Sequence, residues 1–338
     1  MVLHGTMKNK NSLVALVTFV TMTIACNAPP KDNSQQDSLK TISSKKKISA
    51  PDFNADSAYL FVKNQVEFGP RVPASIPHRQ CATFLEEKLK SYRFNVYEQN
   101  GTVTTFDSKK FNLKNIIASY KPNEPSRILL CAHWDTRPFA DRDIKDKDLP
   151  IDGANDGASG VAVLLEIARQ INRVSINTGI DIILFDLEDY GQPHESKFPA
   201  QDNTWCLGSQ YWGNNLHKPG YYANYGILLD MVGAKNATFL QEGNSELYAS
   251  AILKKVWKAS ERLGYSDYFL NTKIDGITDD HYYINALTAI PTIDIVHMDP
   301  STKDFGNFHH RHSDNMDVID KNTLKAVGQT ILDVIYSE

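Results

Sequence analysis

Five stretches of this chain gather imidazoles and carboxylates in the way a metal-dependent enzyme requires. They are His133-Trp134-Asp135; the loop Asp152-Gly153-Ala154-Asn155-Asp156-Gly157-Ala158-Ser159-Gly160; Asp186-Leu187-Glu188-Asp189; Asp230; and His309-His310-Arg311-His312-Ser313-Asp314. Histidine nitrogen and carboxylate oxygen are zinc donors, and a catalytic zinc site leaves one coordination position open. A single Asp or His of this kind is usually a helix cap or a turn residue. Five clusters, most of them closing a short apolar run, are hard to assign to turns. His309, His310 and His312 all compete for one ligand position. His194, His217 and His297 stand outside any cluster and read as surface or packing residues.

The apolar runs say which elements must carry these groups. Residues 113–120, 128–133, 180–187, 227–232 and 292–296 are short and apolar, the mark of buried strands, and 94–106 reads as extended. Residues 56–68, 77–92, 159–172, 246–263 and 321–335 have the apolar spacing of helices. Strands alternating with helices predict an α/β fold in one domain, with a mixed, mostly parallel central sheet and helices on both faces. In such sheets ligands collect beyond the carboxyl ends of the strands. That is where the five clusters fall.

Composition narrows the function classes. Hydrophobic residues make up 41% of the 338 and charged residues 22%, within the globular range. A net charge of -4 with no basic stripe gives no nucleic-acid signature. Outside the N-terminal segment the cysteines are Cys81, Cys131 and Cys206. An odd set without Cys-x-x-Cys spacing argues against a zinc knuckle and a disulfide framework. Cys131 lies in an apolar run and reads as a buried thiol, and sequence does not choose a pair among the three.

The N-terminus reads as an export signal. Lys8 and Lys10 precede the apolar run 13–20, which is too short to span a bilayer comfortably. Thr23-Ile24-Ala25-Cys26 resembles the lipobox of bacterial lipoproteins, with Thr23 in place of the usual leucine. Residues 1–26 are therefore expected to be a lipoprotein-type signal, with Cys26 as the lipidated residue. Residues 27–50, rich in Pro, Lys, Ser, Gln and Asp, read as a flexible tether. Residues 51–338 form the catalytic domain, expected to face the periplasm from a bacterial membrane.

Taken together, His133-x-Asp135, Asn155 to Gly160, Glu188-Asp189, Asp230, and His310 with Asp314 four residues on resemble the metal-site order of the co-catalytic zinc aminopeptidases. The resemblance covers residue 55 or so to the end. Two further segments are similar to the animal-type (type II) glutaminyl cyclases and their bacterial relatives: Phe68-Gly69-Pro70-Arg71-Val72-Pro73, and Asp279-Asp280-His281 followed by Ile290-Pro291-Thr292-Ile293-Asp294. Aminopeptidases typically carry serine where Asp279 stands.

This resemblance implies an enzyme that converts the N-terminal glutamine of peptides and proteins to pyroglutamate with release of ammonia. It implies one zinc per chain, held by Asp156, Asp189 and His310; only His310 has the family spacing to Asp314. Glu188 would be general base and acid, and Asp230 and Asp279 a hydrogen-bonded carboxylate pair near the metal. The chain departs from the family at Asp189, where the peptidases have glutamate, and at Asp294, where the cyclases have histidine. Trp205 is expected to stand in for a substrate-side tryptophan, and Asp294 to contribute a polar contact to the substrate network. The alternative is a di-zinc exo-aminopeptidase with a second metal at His133, Asp156 and Asp230. A lipoprotein binding module without catalysis is disfavoured by the presence of Glu188, Asp189 and His310 together.

Overall fold

The computed structural model describes residues 48–338; Cys26, the expected signal and most of the expected tether lie outside them. From the N-terminal side the elements run α1 (Ala55–Val66), α2 (Ile76–Ser91), β1 (Asn95–Thr104), β2 (Lys110–Tyr120), β3 (Arg127–His133), α3 (Ala158–Arg173), β4 (Gly179–Phe185) and α4 (Leu207–Asn214). They continue with β5 (Tyr225–Asp230), β6 (Phe239–Gln241), α5 (Gly243–Arg262), β7 (Phe269–Lys273), α6 (Asp280–Thr288), β8 (Thr292–Val296) and α7 (Lys321–Tyr336).

The central sheet has six strands in the order β1-β2-β4-β3-β5-β8. β4, β3, β5 and β8 are parallel, and β1 and β2 are antiparallel additions at one edge. β3, β4, β5 and β8 are buried along their whole length, as their continuous apolar runs require. Alternate residues serve opposite faces. Ile182 and Leu184 pack on the side of α1, α2, α3, α5 and α7, whereas Ile183 and Phe185 pack on the side of α4 and α6 with Trp212 and Ile284. The expected fold is therefore present, including helices on both faces.

Two helices and the small parallel sheet β6-β7 were not expected. α4 (LGSQYWGN) and α6 (DHYYINALT) are short and lack a clear apolar period. Both are held by the α4/α6 face of the sheet rather than by propensity. Among the described residues no helix is long and apolar enough to cross a membrane. Cys81, Cys131 and Cys206 are buried free thiols, so none of them pairs.

Candidate active site

The clusters lie at the carboxyl ends of β3, β4 and β5 or in the segments that follow β3 and β8, and hydrogen bonds tie them together. β3 delivers His133, and the chain then turns so that Asp135, fully buried, accepts the N–H groups of Glu188 (3.1 Å) and Asp189 (3.3 Å). β4 ends at Phe185; Asp186 takes Lys114 N–H (2.8 Å) and the imidazole of His78 (2.8 Å), and Leu187 adopts a left-handed backbone (φ 55°) that swings the Glu188-Asp189 pair toward the cleft. The loop before α3 is held from the far end of the chain: the Asp314 carboxylate accepts Asn155 N–H (2.8 Å) and Asp156 N–H (3.0 Å). Gly157 (φ 91°) allows this turn, because a β-carbon there would lie 2.8 Å from the Asp135 carbonyl oxygen.

The three residues expected to hold zinc converge. His310 Nε2 lies 3.2 Å from Asp189 Oδ1 and 3.8 Å from Asp156 Oδ2. Asp156 Oδ2 and both Asp189 carboxylate oxygens are buried and have no hydrogen-bond partner. Burying unpaired carboxylate oxygens is costly unless a cation meets them. Burial, with Arg137 nearby, holds the His310 imidazole well below its usual pKa, so it is neutral, the form that ligates. Burial and the neighbouring Asp156 carboxylate push Asp189 well up, which again marks an anionic cluster lacking its counter-charge. The donor set therefore fits zinc.

Of the competing histidines His312 leaves the cluster, whereas His309 and His310 both reach Asp156. His312 is turned away, its Nδ1 2.6 Å from Asp143 and its side chain 39% exposed. His309 Nε2 lies 4.0 Å from Asp156 Oδ2, nearly as near as His310, and packs on Phe305; what singles out His310 is its 3.2 Å approach to Asp189. His217 accepts the Trp212 indole N–H, and His297 packs on Phe308, as expected of packing residues. His194 is exposed, but its loop forms one wall of the cleft, a placement the sequence did not signal.

The second cluster also forms. His133 Nε2 lies 3.1 Å from Asp156 Oδ1 and 3.2 Å from Asp230 Oδ1. Ligand geometry alone thus accommodates either metal count. Burial, opposed by His133 and reinforced by Asp279 and Asp156, raises Asp230 to about 7.

Beside the metal cluster opens a cleft of about 1110 Å³ whose lining includes Glu188, Asp230, Asp279, Trp205, Tyr283 and His310. Burial lifts the Glu188 carboxyl well above the usual range; His133 opposes this, and Asp279, Asp280 and Asp230 add to it. Cys206 Sγ lies 3.1 Å from Glu188 Oε1, a contact no sequence spacing announced. Trp205 stacks on the His310 ring, 5.5 Å between centroids and 7° between planes, and Arg137 lies 4.4 Å from the indole on its own side. One expectation is corrected. Asp294 does not face the substrate: it is 1% exposed and sits behind Asp279, because it belongs to the interior register of β8, where it pairs with Leu228.

Comparison with known proteins follows this geometry. Residues 115–335, which contain every cluster above, match peptidase family M28. The chain belongs to peptidase family M28. Among solved structures, the glutaminyl cyclase of Bacteroides thetaiotaomicron, crystallised with N-acetylhistamine, is 54% identical over 86% of this chain and 99% of its own, with a TM-score of 0.84. A structure from the same organism described as a leucine aminopeptidase precursor is 52% identical over 86% and 99%, with a TM-score of 0.83. The Tannerella forsythia glutaminyl cyclase is 48% identical over 85% and 100%, with a TM-score of 0.83. Among curated relatives, the aminopeptidase YwaD of Bacillus subtilis is 27% identical over 66% of this chain, and the match spans 44% of YwaD.

Proposed function

We propose that this M28 member is a zinc-dependent glutaminyl-peptide cyclotransferase, acting on peptides and proteins whose first residue is glutamine. The observation that carries the reading is Asp279. It lines the cleft together with Glu188 and Asp230, and puts a third carboxylate where a peptidase would have serine. Glutaminyl cyclases from three bacteria, 46–54% identical to this chain, support the same choice over the aminopeptidase alternative.

The reaction needs little beyond charge and proton handling. The α-amine attacks the side-chain amide carbon of its own residue, so the reacting groups are already tethered. Asp156, Asp189 and His310 would hold the zinc, which would supply Lewis-acid polarisation of the amide carbonyl. Glu188, adjacent to a ligand yet free of the metal cluster, takes a proton from the amine and returns it to the departing nitrogen. Its raised affinity for a proton suits that return step. Asp230 and Asp279 accept N–H groups of the substrate, and the Trp205 face closes one side of the ring-forming atoms.

We further infer that the enzyme is an exported lipoprotein anchored through Cys26 and facing the periplasm. The charged and apolar N-terminal segment and the small residues before Cys26 support this. Loss of labelled-lipid incorporation in Cys26→Ser tests it; continued labelling would exclude Cys26 as the anchor.

For the activity itself, the purified protein is incubated with a glutaminyl peptide while ammonia and product mass are followed. Pyroglutamyl peptide with stoichiometric ammonia supports the proposal. Hydrolysis of aminoacyl anilides without cyclisation sinks it. One zinc per chain by elemental analysis accords with the cyclase, two with the di-zinc peptidase.

A further inference from the structure

The cleft beside the metal cluster is one-sided in charge. Asp141, Asp156, Glu188, Asp202, Asp230 and Asp279 all line it, and among the described residues that do so Arg142 is the only Lys or Arg. Such a lining suits the amine end of a peptide. Next to it opens a second groove of about 870 Å³. Arg142 and Phe305 line both, so the groove continues the cleft outward. Phe305 stands close to the centre. Its ring lies 4.4 Å from that of His309, which lies 3.6 Å from that of His310.

The groove has a different charge pattern. Its cations are Arg142, Lys235 and Arg311, and its carboxylates are Asp299, Asp304 and Asp317. Two of the carboxylates are engaged. Asp299 accepts the Ser301 N–H (2.7 Å), the Ser301 hydroxyl (2.5 Å) and the Thr302 N–H (3.1 Å). Asp304 accepts the Phe305 N–H (2.8 Å) and meets Arg142 at 3.4 Å. That pair is exposed on both sides, 37% and 59%, and exposed pairs are weak enough to exchange partners. Asp317 is exposed and takes part in no ion pair among the described residues.

Arg311 is the group with an unmet need. Its main chain is held at both ends, the N–H donating to the Phe308 carbonyl (3.0 Å) and the carbonyl accepting the Asp314 N–H (3.0 Å). The side chain is half-buried, and its Nε is fully buried with no acceptor. Among the described residues the guanidinium makes neither an ion pair nor a hydrogen bond. A buried donor without a partner is costly, and an arriving acceptor relieves that cost. The planar fork of a guanidinium matches a carboxylate. Lys235, exposed and equally unpaired among the described residues, adds a second positive charge to the same groove.

We propose that this groove is a subsite for the stretch of substrate following the N-terminal glutamine, and that Arg311, with Arg142 and Lys235, selects acidic side chains there. The amine end sits among the cleft carboxylates, and an extended chain advances about 3.3–3.6 Å per residue, so the next few residues pass Phe305 and enter the groove. The inference rests on the cyclase reading above and deepens it, because it names the substrate class: glutaminyl peptides with Asp or Glu in the positions just after glutamine.

The test uses the full chain with zinc bound and three amidated peptides, Gln-Glu-Glu-Ala, Gln-Ala-Ala-Ala and Gln-Lys-Lys-Ala. Wild type should favour the acidic peptide over the neutral one by about tenfold in kcat/KM at low salt, the lysine peptide should be the poorest, and the spread should shrink at high salt. Arg311→Gln should bring the acidic peptide to within about twofold of the neutral one, through KM, with the neutral peptide's rate and the zinc content unchanged. Arg311→Lys should keep part of the preference, and Arg142→Gln should weaken it. No acidic preference in wild type overturns the proposal, as does a preference that survives Arg311→Gln. Parallel loss on the neutral peptide would make Arg311 a support for His310 instead and is equally fatal. If Arg311→Gln fails to fold, Arg142→Gln decides, and an unchanged preference there sinks the subsite. Turnover is scored both as ammonia and as free glutamine, and calorimetric titration with the matching pyroglutamyl peptides reads the preference as affinity. A wild type that forms no pyroglutamate ends the cyclase reading, while the affinities still judge the groove.

Discussion

The Trp205 indole lies parallel to the His310 imidazole, 7° between planes, although one residue comes from the loop before α4 and the other from the segment before α7. The indole is half-buried and its outer part lines the cleft. Gly191 makes room for it, since a β-carbon there would overlap the indole. Trp205→Ala should therefore have two effects: KM rises by about tenfold, in line with loss of roughly 1.4 kcal/mol of aromatic contact, and zinc dissociates faster as His310 loses its support. Steady-state kinetics and competition with a chelating dye measure the two. Unchanged values of both would show that the stacking is incidental.

Glu188→Gln should lower kcat by about 10²- to 10⁴-fold, the usual span for removing a general acid-base group. Zinc stoichiometry should be preserved, because Glu188 is not among Asp156, Asp189 and His310. Near wild-type turnover in the variant would refute the proton-transfer role.

Asp135 holds the Glu188-Asp189 backbone through two N–H groups without lying on the cleft surface. Asp135→Asn can accept only one of them, and zinc affinity should fall about 10- to 100-fold. Isothermal titration of the apo form reads this directly; equal affinity would place the pair's orientation elsewhere.

Metal removal should soften the whole fold, since Asp156 and Asp189 then repel without compensation. At a free zinc concentration near 1,000 times Kd the ion contributes about 4 kcal/mol, so a chelator should lower Tm by roughly 10 °C, and added zinc should restore it. Calorimetry with and without chelator checks this, and a Tm indifferent to chelator would be inconsistent with a structural load on that cluster.

Glu242 gives a pH signature in stability rather than in rate. Burial alone would raise its pKa, but His281, with the Ser245 and Asn244 N–H groups, outweighs it and brings it down to about 2. A carboxyl whose folded pKa is depressed adds stability above its unfolded pKa, near 4.5, and loses it as pH falls toward the folded value. Wild type should thus exceed Glu242→Gln by at most about 3 kcal/mol at neutral pH, with the gap narrowing between about pH 4.5 and 2. Denaturant titrations at several pH values would show it; a constant gap would mean that Glu242 is not ionised in the fold.

The strands were legible because β3, β4, β5 and β8 are buried on both faces and so had to be apolar throughout. The same arrangement made their polar ends conspicuous, which is why Asp156, Glu188, Asp189, Asp230 and His310 could be named from spacing and resemblance. α4 and α6 escaped because their order comes from the sheet beneath them. Cys206 and Glu242 escaped for another reason: their partners, Glu188 and His281, lie far away in sequence, and nothing local distinguishes them from an ordinary thiol and an ordinary helix cap. Asp294 was noticed but misplaced, since resemblance supplied a role near the substrate while strand register turned the side chain inward.

Leu187, Met231 and His310 all carry left-handed backbone angles (φ 55°, 48° and 56°), and each adjoins or is a residue of the centre. Such conformations cost a non-glycine residue on the order of 1 kcal/mol apiece and persist only while surrounding structure enforces them. Warming should release these kinks before the sheet itself gives way. Heat inactivation is then expected to set in several degrees below the loss of circular dichroism, making this enzyme one whose working ceiling is set by three bends in the main chain rather than by its melting point.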